Sequence, residues 1–139
     1  MLQTALVLIQ HGLAVFPCRP RTKYPATGHG GFKHASTDPD VIKNWWTAMP
    51  SANIGVATGE ISGAFVLDID GVDAAEHIRK LEACNTDLPP TLQVCTPGGP
   101  HRLHRWFKMP PGVEIRNSEG KCCCAGTRNT AGRRCRRKT

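Results

Sequence analysis

The composition of the chain changes abruptly at Lys121, and this change limits the part of the sequence that can form a fold. Residues 121–139 carry seven basic residues and no acidic residue. They also lack the apolar periodicity of a helix or a strand that packs on a core. We therefore expect one small domain over residues 1–120. The basic, Cys-rich tail over residues 121–139 is expected to be disordered, or to derive from a shifted reading frame or a truncated gene.

The net charge of +7 belongs to this tail, because residues 1–120 carry 11 basic and 11 acidic residues. The charge therefore does not indicate a phosphate-binding face on the domain itself. No apolar run reaches the about 18 residues that a membrane span needs, so we expect no membrane association. Seven cysteines are an odd number, and those of the body (Cys18, Cys84 and Cys95) lie in apolar or helical contexts. This pattern favours reduced thiols and a cytoplasmic location.

Hydrophobic periodicity and turn residues predict an α+β fold. Helices are expected over residues 2–11, 37–48 and 72–84. Strands are expected over residues 13–16, 53–58, 64–69, 91–96 and 103–108, and Pro17 should end the first of them. The second and third strands are separated by five residues, which predicts an adjacent antiparallel pair. In the second helix, Trp45 and Trp46 are predicted to pack in the core, with contact to nucleic-acid bases as the alternative.

Two carboxylates close the third predicted strand, in the segment Val66-Leu67-Asp68-Ile69-Asp70-Gly71. Residues two apart on a strand point to the same face, so Asp68 and Asp70 can share a cation. Carboxylate oxygens are hard ligands, which suit Mg²⁺ or Mn²⁺. A cation there could activate a 3′ hydroxyl and balance charge on a transferred nucleotidyl group. The alternative is that both residues are solvated at a strand end and cap the next helix.

A glycine turn, Thr96-Pro97-Gly98-Gly99-Pro100-His101, precedes the last predicted strand. Glycines let backbone N–H groups approach a phosphate, and imidazole or guanidinium groups can donate to its oxygens. Such donors follow the turn at Arg102, His104 and Arg105. A simple hairpin would explain the same glycines without any ligand.

The order of these segments resembles the N-terminal domain of bifunctional DNA primase-polymerases from phages, plasmids and integrated elements. The resemblance runs from about residue 6 to residue 120. Its matching segments are Gly-Leu-Ala-Val-Phe-Pro at 12–17, Lys23 with Pro25, Ala-Ser-Thr-Asp-Pro at 35–39, Trp45-Trp46, residues 50–59, Ser62-Gly63, Asp-Ile-Asp-Gly at 68–71, Leu-Pro-Pro-Thr at 88–91, the turn at 96–104 and residues 111–117.

This resemblance implies a sheet related to the RNA-recognition motif, with flanking helices, that is incomplete at the C-terminus. It also implies Mg²⁺ or Mn²⁺ on Asp68 and Asp70, with a motif histidine that contacts the phosphates of the nucleotide. His104 fits the family's His-x-x-Phe order and is slightly favoured, while His101 fits Gly-Gly-x-His. Nucleotide binding is assigned to Lys23, Gly98, Gly99 and Arg105. The implied partners are a single-stranded DNA template and nucleoside triphosphates, with a helicase domain or protein that the sequence leaves undefined.

The third carboxylate of the family, in a Gly-x-Asp-x-Arg-Gly segment after about residue 120, is missing from this sequence. We therefore expect weak or absent catalysis in this form, and a non-catalytic remnant that binds nucleotide or nucleic acid is one alternative. A haloacid-dehalogenase-like phosphohydrolase is another, because Asp-x-Asp-Gly after an apolar strand is also a nucleophile motif. For the tail, a zinc site from its cysteines and a basic arm that binds nucleic acid are further hypotheses.

Overall fold

A computed structural model describes residues 1–84, 87–97, 99, 101–113 and 115. The chain divides into two compact units, Met1–Met109 and Pro110–Thr139. In the second unit, the described residues form a turn in which Val113 N donates to Pro110 O at 3.4 Å. Within the described residues, the first unit contains three α-helices and five strands: α1 (Leu2–Gln10), β1 (Val15–Cys18), α2 (Pro39–Ala48), β2 (Asn53–Val56), β3 (Ala64–Asp70), α3 (Val72–Cys84), β4 (Leu92–Cys95) and β5 (Arg102–Lys108). Two short 3-10 helices lie at Gly28–His34 and Glu60–Ser62.

The α+β prediction is confirmed, and the three helices and five strands lie close to their predicted positions. One detail is wrong, because β1 continues through Pro17 to Cys18. A proline is tolerated in a strand where its missing N–H is not needed. Pro17 still contributes its carbonyl, which accepts from Ala26 N at 2.8 Å.

The main core lies between α1, α2 and β1. Asp38 caps α2 by accepting from Asp40 N at 2.8 Å, and Pro39 occupies the first turn. This cap fixes where the helix begins and therefore which face it buries. Trp46 is 2 % exposed, and its Nε1 donates to Ala52 O at 3.1 Å. Core packing of Trp46 is thus confirmed, with Trp45 packed at the edge. The buried members of the cluster are Ala5, Ile9, Val15, Ile42 and Trp46.

A small antiparallel sheet pairs β1 with β2. Phe16 lies opposite Gly55, and its ring covers that residue so closely that a Cβ on Gly55 would stand 2.5 Å from it. Glycine is therefore required there by close approach. The sheet also borders the loop that carries Lys23.

The larger sheet has the strand order β3-β5-β4, and β5 is antiparallel to both neighbours. Strands β3 and β4 are therefore parallel and are joined by α3, with β5 inserted between them. This arrangement is a split β-α-β unit followed by a strand, and it corresponds to the first four elements of a β-α-β-β-α-β fold. It supports the predicted relation to an RNA-recognition-motif sheet.

The predicted pairing of β2 with β3 is wrong. The two strands belong to different sheets, and an isolated bridge joins Gly59, after the end of β2, to Ala64 at the start of β3. The hydroxyl of Ser62, in the turn between them, accepts from Ala14 N at 2.9 Å and donates to Ala57 O. These side-chain hydrogen bonds occupy backbone groups near the end of β2. Those groups are then not available for strand pairing between β2 and β3.

In the described part of the chain, no helix has the length and apolar character to cross a membrane. The predictions for residues 121–139, including the zinc site and the basic arm, fall outside the described residues.

Candidate active site

Strand β3 carries both predicted metal ligands, and the β3–β5 ladder determines what faces them. Asp68 pairs with His104, and Asp70 pairs with Arg102. Directly opposed residues of an antiparallel pair point to the same face of the sheet. The two carboxylates, the imidazole and the guanidinium therefore share one face, hereafter the acidic face. Ile69 points the other way and is 2 % exposed, so it anchors the strand between the two carboxylates.

The side chains on the acidic face are close enough to interact. His104 Nε2 lies 3.5 Å from Asp68 Oδ1, and Arg102 Nε lies 3.0 Å from Asp70 Oδ1. Both carboxylates are open to solvent, with 67 % of the Asp68 side chain and 62 % of the Asp70 side chain exposed. The face is thus accessible to a large ligand, and each carboxylate already has a basic neighbour.

The glycine turn connects β4 to β5 next to this face. Thr96 N donates to Arg102 O at 2.9 Å, and Arg102 N donates to Gly99 O at 3.3 Å. Gly99 has a φ of 131°, which a residue with a side chain rarely adopts. The turn therefore fixes where β5 starts and which of its residues face the carboxylates. Gly98 lies outside the described residues, so its predicted role in nucleotide binding stays a prediction.

The two candidate histidines differ in their position relative to Asp68. His104 is on β5 and faces Asp68, whereas His101 precedes the strand in the turn. The carbonyl of His101 accepts from Gly71 N at 2.9 Å, which ties the turn to the end of β3. His104 is therefore the histidine that the ladder brings to the carboxylates, and His101 contributes through its backbone.

Arg105 lies on the opposite face of the sheet from Asp68 and Asp70, because it pairs with Leu67. Its guanidinium Nη1 lies 2.9 Å from Glu82 Oε1 on α3, and each side chain is 22 % exposed. This ion pair holds α3 against the sheet. The assignment of Arg105 to nucleotide binding therefore has no geometric support on the acidic face, and we leave Arg105 out of the proposed site.

Lys23 lies in the loop after β1, beside the smaller sheet. It lines an open depression of about 500 Å³ together with Phe16, Cys18, Asn53 and Ile54. The structure thus does not bring Lys23 to the strands that carry the carboxylates. Its predicted contact with phosphate stays a prediction.

Arg102 is one of the donors that the sequence predicts after the glycine turn, and it lies on the acidic face opposite Asp70. Arg105, which the sequence assigns to nucleotide binding, lies on the other face. The alternation of side chains along a strand was the available signal, since a residue two before His104 must share its face. A residue at an odd offset from His104, such as Arg105, points to the opposite face.

The residues on the acidic face fit a divalent cation of the Mg²⁺ type that is shared with a ligand. Within the described residues, no three His, Cys, Asp or Glu side chains are grouped to hold a metal ion. Mg²⁺ is commonly held by one or two carboxylates together with phosphate oxygens of a substrate and water. Asp68 and Asp70 would supply two oxygen ligands, and the exposed face leaves room for the others.

The family model for the N-terminal domain of bifunctional DNA primase/polymerase matches residues 5–133. The chain belongs to this primase-polymerase family. The match covers every element of the larger sheet, including both strands of the acidic face, and it continues past residue 120 into the segment assigned to the tail. Comparisons with curated proteins and with solved structures gave no match.

Membership of the primase-polymerase family gives the chain a nucleotidyltransferase type of function, with DNA and nucleotides as its general substrates. The family assignment made from the sequence is confirmed. The segments on which that assignment depended lie in the matched range, among them the Asp68 strand and the turn before His104.

Proposed function

We propose that this chain is the nucleotidyltransferase domain of a DNA primase-polymerase, with Asp68 and Asp70 holding Mg²⁺ or Mn²⁺. The domain would extend or start a primer from nucleoside triphosphates on a single-stranded DNA template. It would act in the cytoplasm, in the replication of a phage, plasmid or integrated element, alongside a helicase. The observation that supports this proposal is the shared face of Asp68, Asp70 and His104 on adjacent strands of a sheet in a primase-polymerase domain.

Each residue has a distinct part in the proposed reaction. A divalent cation on the two carboxylates would lower the pKa of the attacking 3′ hydroxyl and balance charge on the transferred group. The 3′ hydroxyl would give its proton to solvent water, and its oxygen would form a bond to the α-phosphorus while the bond from that phosphorus to the leaving pyrophosphate breaks. His104, 3.5 Å from Asp68, would donate to phosphate oxygens and orient the nucleotide.

The position of the carboxylates on a strand supports this role. Ile69 is buried beneath the sheet between Asp68 and Asp70, so the backbone that carries both ligands is held by core packing. Ligands on a rigid element keep their spacing better than ligands on a loop. The high exposure of both side chains would leave the cation accessible to a primer terminus and a triphosphate.

The proposed activity of this particular form is low. Residues 121–139 contain no acidic residue, so this segment does not supply the third carboxylate that the family resemblance implies there. Loss of one oxygen ligand weakens the hold on the catalytic ions. The alternative function is binding of nucleotide or nucleic acid without transfer, and the same missing carboxylate supports it.

A primer-extension assay tests the proposal. The full chain is incubated with a labelled primer on a DNA template, nucleoside triphosphates and Mg²⁺ or Mn²⁺. Extension is expected to be slow in the wild type and lost in Asp68→Asn and Asp70→Asn. Asp40→Asn on α2, whose side chain is 84 % exposed, is the matched control and should behave as the wild type. Extension that survives in both β3 variants would contradict the metal assignment.

Two further outcomes separate the alternatives. Nucleotide binding that depends on Asp68 and Asp70 but gives no extension identifies the non-catalytic function. Hydrolysis of a simple phosphate ester that is lost in Asp68→Asn would instead support the phosphohydrolase, which the family membership does not favour.

A further inference from the structure

Each carboxylate of the acidic face is already engaged by a basic side chain from β5. Arg102 Nε lies 3.0 Å from Asp70 Oδ1, and His104 Nε2 lies 3.5 Å from Asp68 Oδ1. The same two carboxylates are the proposed cation ligands. A cation that binds Asp70 would therefore share this carboxylate with a guanidinium that is already in place.

The charges on this face argue against tight binding of a bare cation. Two carboxylates carry two negative charges, and Arg102 cancels one of them because a guanidinium is always protonated. Together, Asp68, Asp70 and Arg102 therefore carry one net negative charge, which makes a weak site for a divalent ion. The guanidinium would also lie within a few ångströms of that ion and repel it.

A triphosphate changes this balance, because it offers Arg102 another anionic partner. Guanidinium groups bind phosphate oxygens in paired hydrogen bonds, so the exchange of a carboxylate for a phosphate costs Arg102 little. It also frees Asp70 for the cation, and the phosphates supply the remaining oxygen ligands that Mg²⁺ prefers.

The surroundings of Arg102 suit such an exchange. Its backbone is fixed on both sides, since its N–H donates to Gly99 O at 3.3 Å and its carbonyl accepts from Thr96 N at 2.9 Å. Its side chain is 44 % exposed, and so it is free to swing toward a ligand on the acidic face. With its backbone fixed and its side chain exposed, Arg102 can exchange Asp70 for a phosphate without a change in the strand.

We propose that Arg102 holds Asp70 in the free protein and transfers to the nucleotide phosphates on binding, so that cation and nucleotide bind as one unit. This inference rests on the proposed function of the same face. Thermodynamic coupling is reciprocal, so the nucleotide raises the affinity for the cation by the same factor as the cation raises the affinity for the nucleotide. Arg102 is the residue that carries this coupling.

Binding measurements on the full chain test the proposal without any activity readout. Binding of Mn²⁺ is followed from the electron paramagnetic resonance signal of free Mn²⁺, without nucleotide. Binding of a fluorescent nucleoside triphosphate is followed by anisotropy, with Mg²⁺ or with EDTA. Arg102→Gln should bind Mn²⁺ about two- to fivefold more tightly than the wild type, the range expected when an exposed ion pair is removed. The same variant should bind the Mg²⁺-nucleotide severalfold more weakly.

Two control variants make these opposite changes specific. Arg102→Lys keeps the positive charge and should leave the Mn²⁺ affinity near that of the wild type. Arg79→Gln removes the exposed ion pair with Glu76 on α3 and should change neither affinity. Circular dichroism of each variant shows whether the fold is kept.

The outcomes distinguish a failure of this inference from a failure of the proposed function. If Asp70→Asn weakens Mn²⁺ binding but Arg102→Gln binds Mn²⁺ no more tightly than the wild type, the coupling role of Arg102 is wrong and the metal site stands. If Asp68→Asn and Asp70→Asn leave Mn²⁺ binding unchanged, both the metal assignment and the inference are overturned.

Discussion

The imidazole of His104 lies directly across the β3–β5 ladder from the carboxylate of Asp68, with 3.5 Å between Nε2 and Oδ1. This relationship joins a proposed metal ligand to a proposed phosphate donor through strand pairing alone. A phosphate bound between them would contact a cation on one side and a hydrogen-bond donor on the other. The functional importance of His104 can therefore be tested separately from the carboxylates.

His104→Gln is expected to weaken nucleotide binding by about 10- to 150-fold, the value of a hydrogen bond to a charged group. His101→Gln is the control, because His101 contributes its backbone carbonyl rather than a strand position. Anisotropy titrations of a fluorescent nucleotide measure both variants. A larger loss in His101→Gln than in His104→Gln would show that the wrong imidazole has been assigned.

The ion pair between Arg105 and Glu82 is expected to stabilise the fold rather than to bind nucleotide. Glu82→Gln replaces the charged partner of the partly buried guanidinium, at 2.9 Å, by a neutral amide, so the free energy of unfolding should fall by about 1–2 kcal/mol. Glu76→Gln, in an exposed pair of α3, should cost at most about 0.5 kcal/mol. Urea denaturation gives both values. Arg105→Gln should lower the free energy of unfolding and leave the nucleotide affinity unchanged. A loss of nucleotide affinity without a loss of stability would instead support a role of Arg105 in nucleotide binding.

The hydroxyl of Ser62 connects the beginning of β1 to the residue after β2 through two hydrogen bonds. Ser62→Ala leaves Ala14 N and Ala57 O without these partners, which should reduce the free energy of unfolding by about 1–3 kcal/mol. Ser51→Ala, at an exposed position before β2, is the matched control and should change it by less than about 0.5 kcal/mol. Equal stability of the two variants in urea denaturation would mean that the Ser62 hydroxyl does not hold the strands.

Cys18 is expected to be the slowest of the three described thiols to react with an alkylating agent. It is 5 % exposed, and burial raises the pKa of its thiol. A raised pKa means that less of the reactive thiolate is present at a given pH, for example near pH 8. Cys84 and Cys95 are exposed and serve as internal references. Timed alkylation of the folded chain with peptide mass spectrometry measures all three, and rapid labelling of Cys18 would show that β1 opens readily.

Local patterns predicted most of the secondary structure. The cap at Asp38, the proline after it and the apolar spacing of α2 act within one or two helical turns, so they could be recognised in the sequence. The shared face of Asp68 and Asp70 followed in the same way from the alternation of a strand. Short-range rules thus predicted that the two carboxylates share a face of the sheet.

Long-range pairing was harder to predict. The five residues between β2 and β3 suggested a hairpin, but the Ser62 hydroxyl binds backbone groups from two other segments. The face on which Arg105 lies could not be predicted for a related reason, because it depends on the register of β5 with β3. The register of β5 depends on the residue at which the strand starts after the glycine turn, and this residue is known only from the structure.

The pairing of β5 with β3 has a consequence for how this domain can change in evolution. Side chains alternate with a period of two along a strand. Inserting or deleting one residue between the turn and His104 would therefore place Arg105 on the acidic face and His104 on the face toward α3. Inserting two residues would keep each side chain on its present face of the sheet. Homologous domains should therefore tolerate length variation here in even steps far more readily than in odd ones.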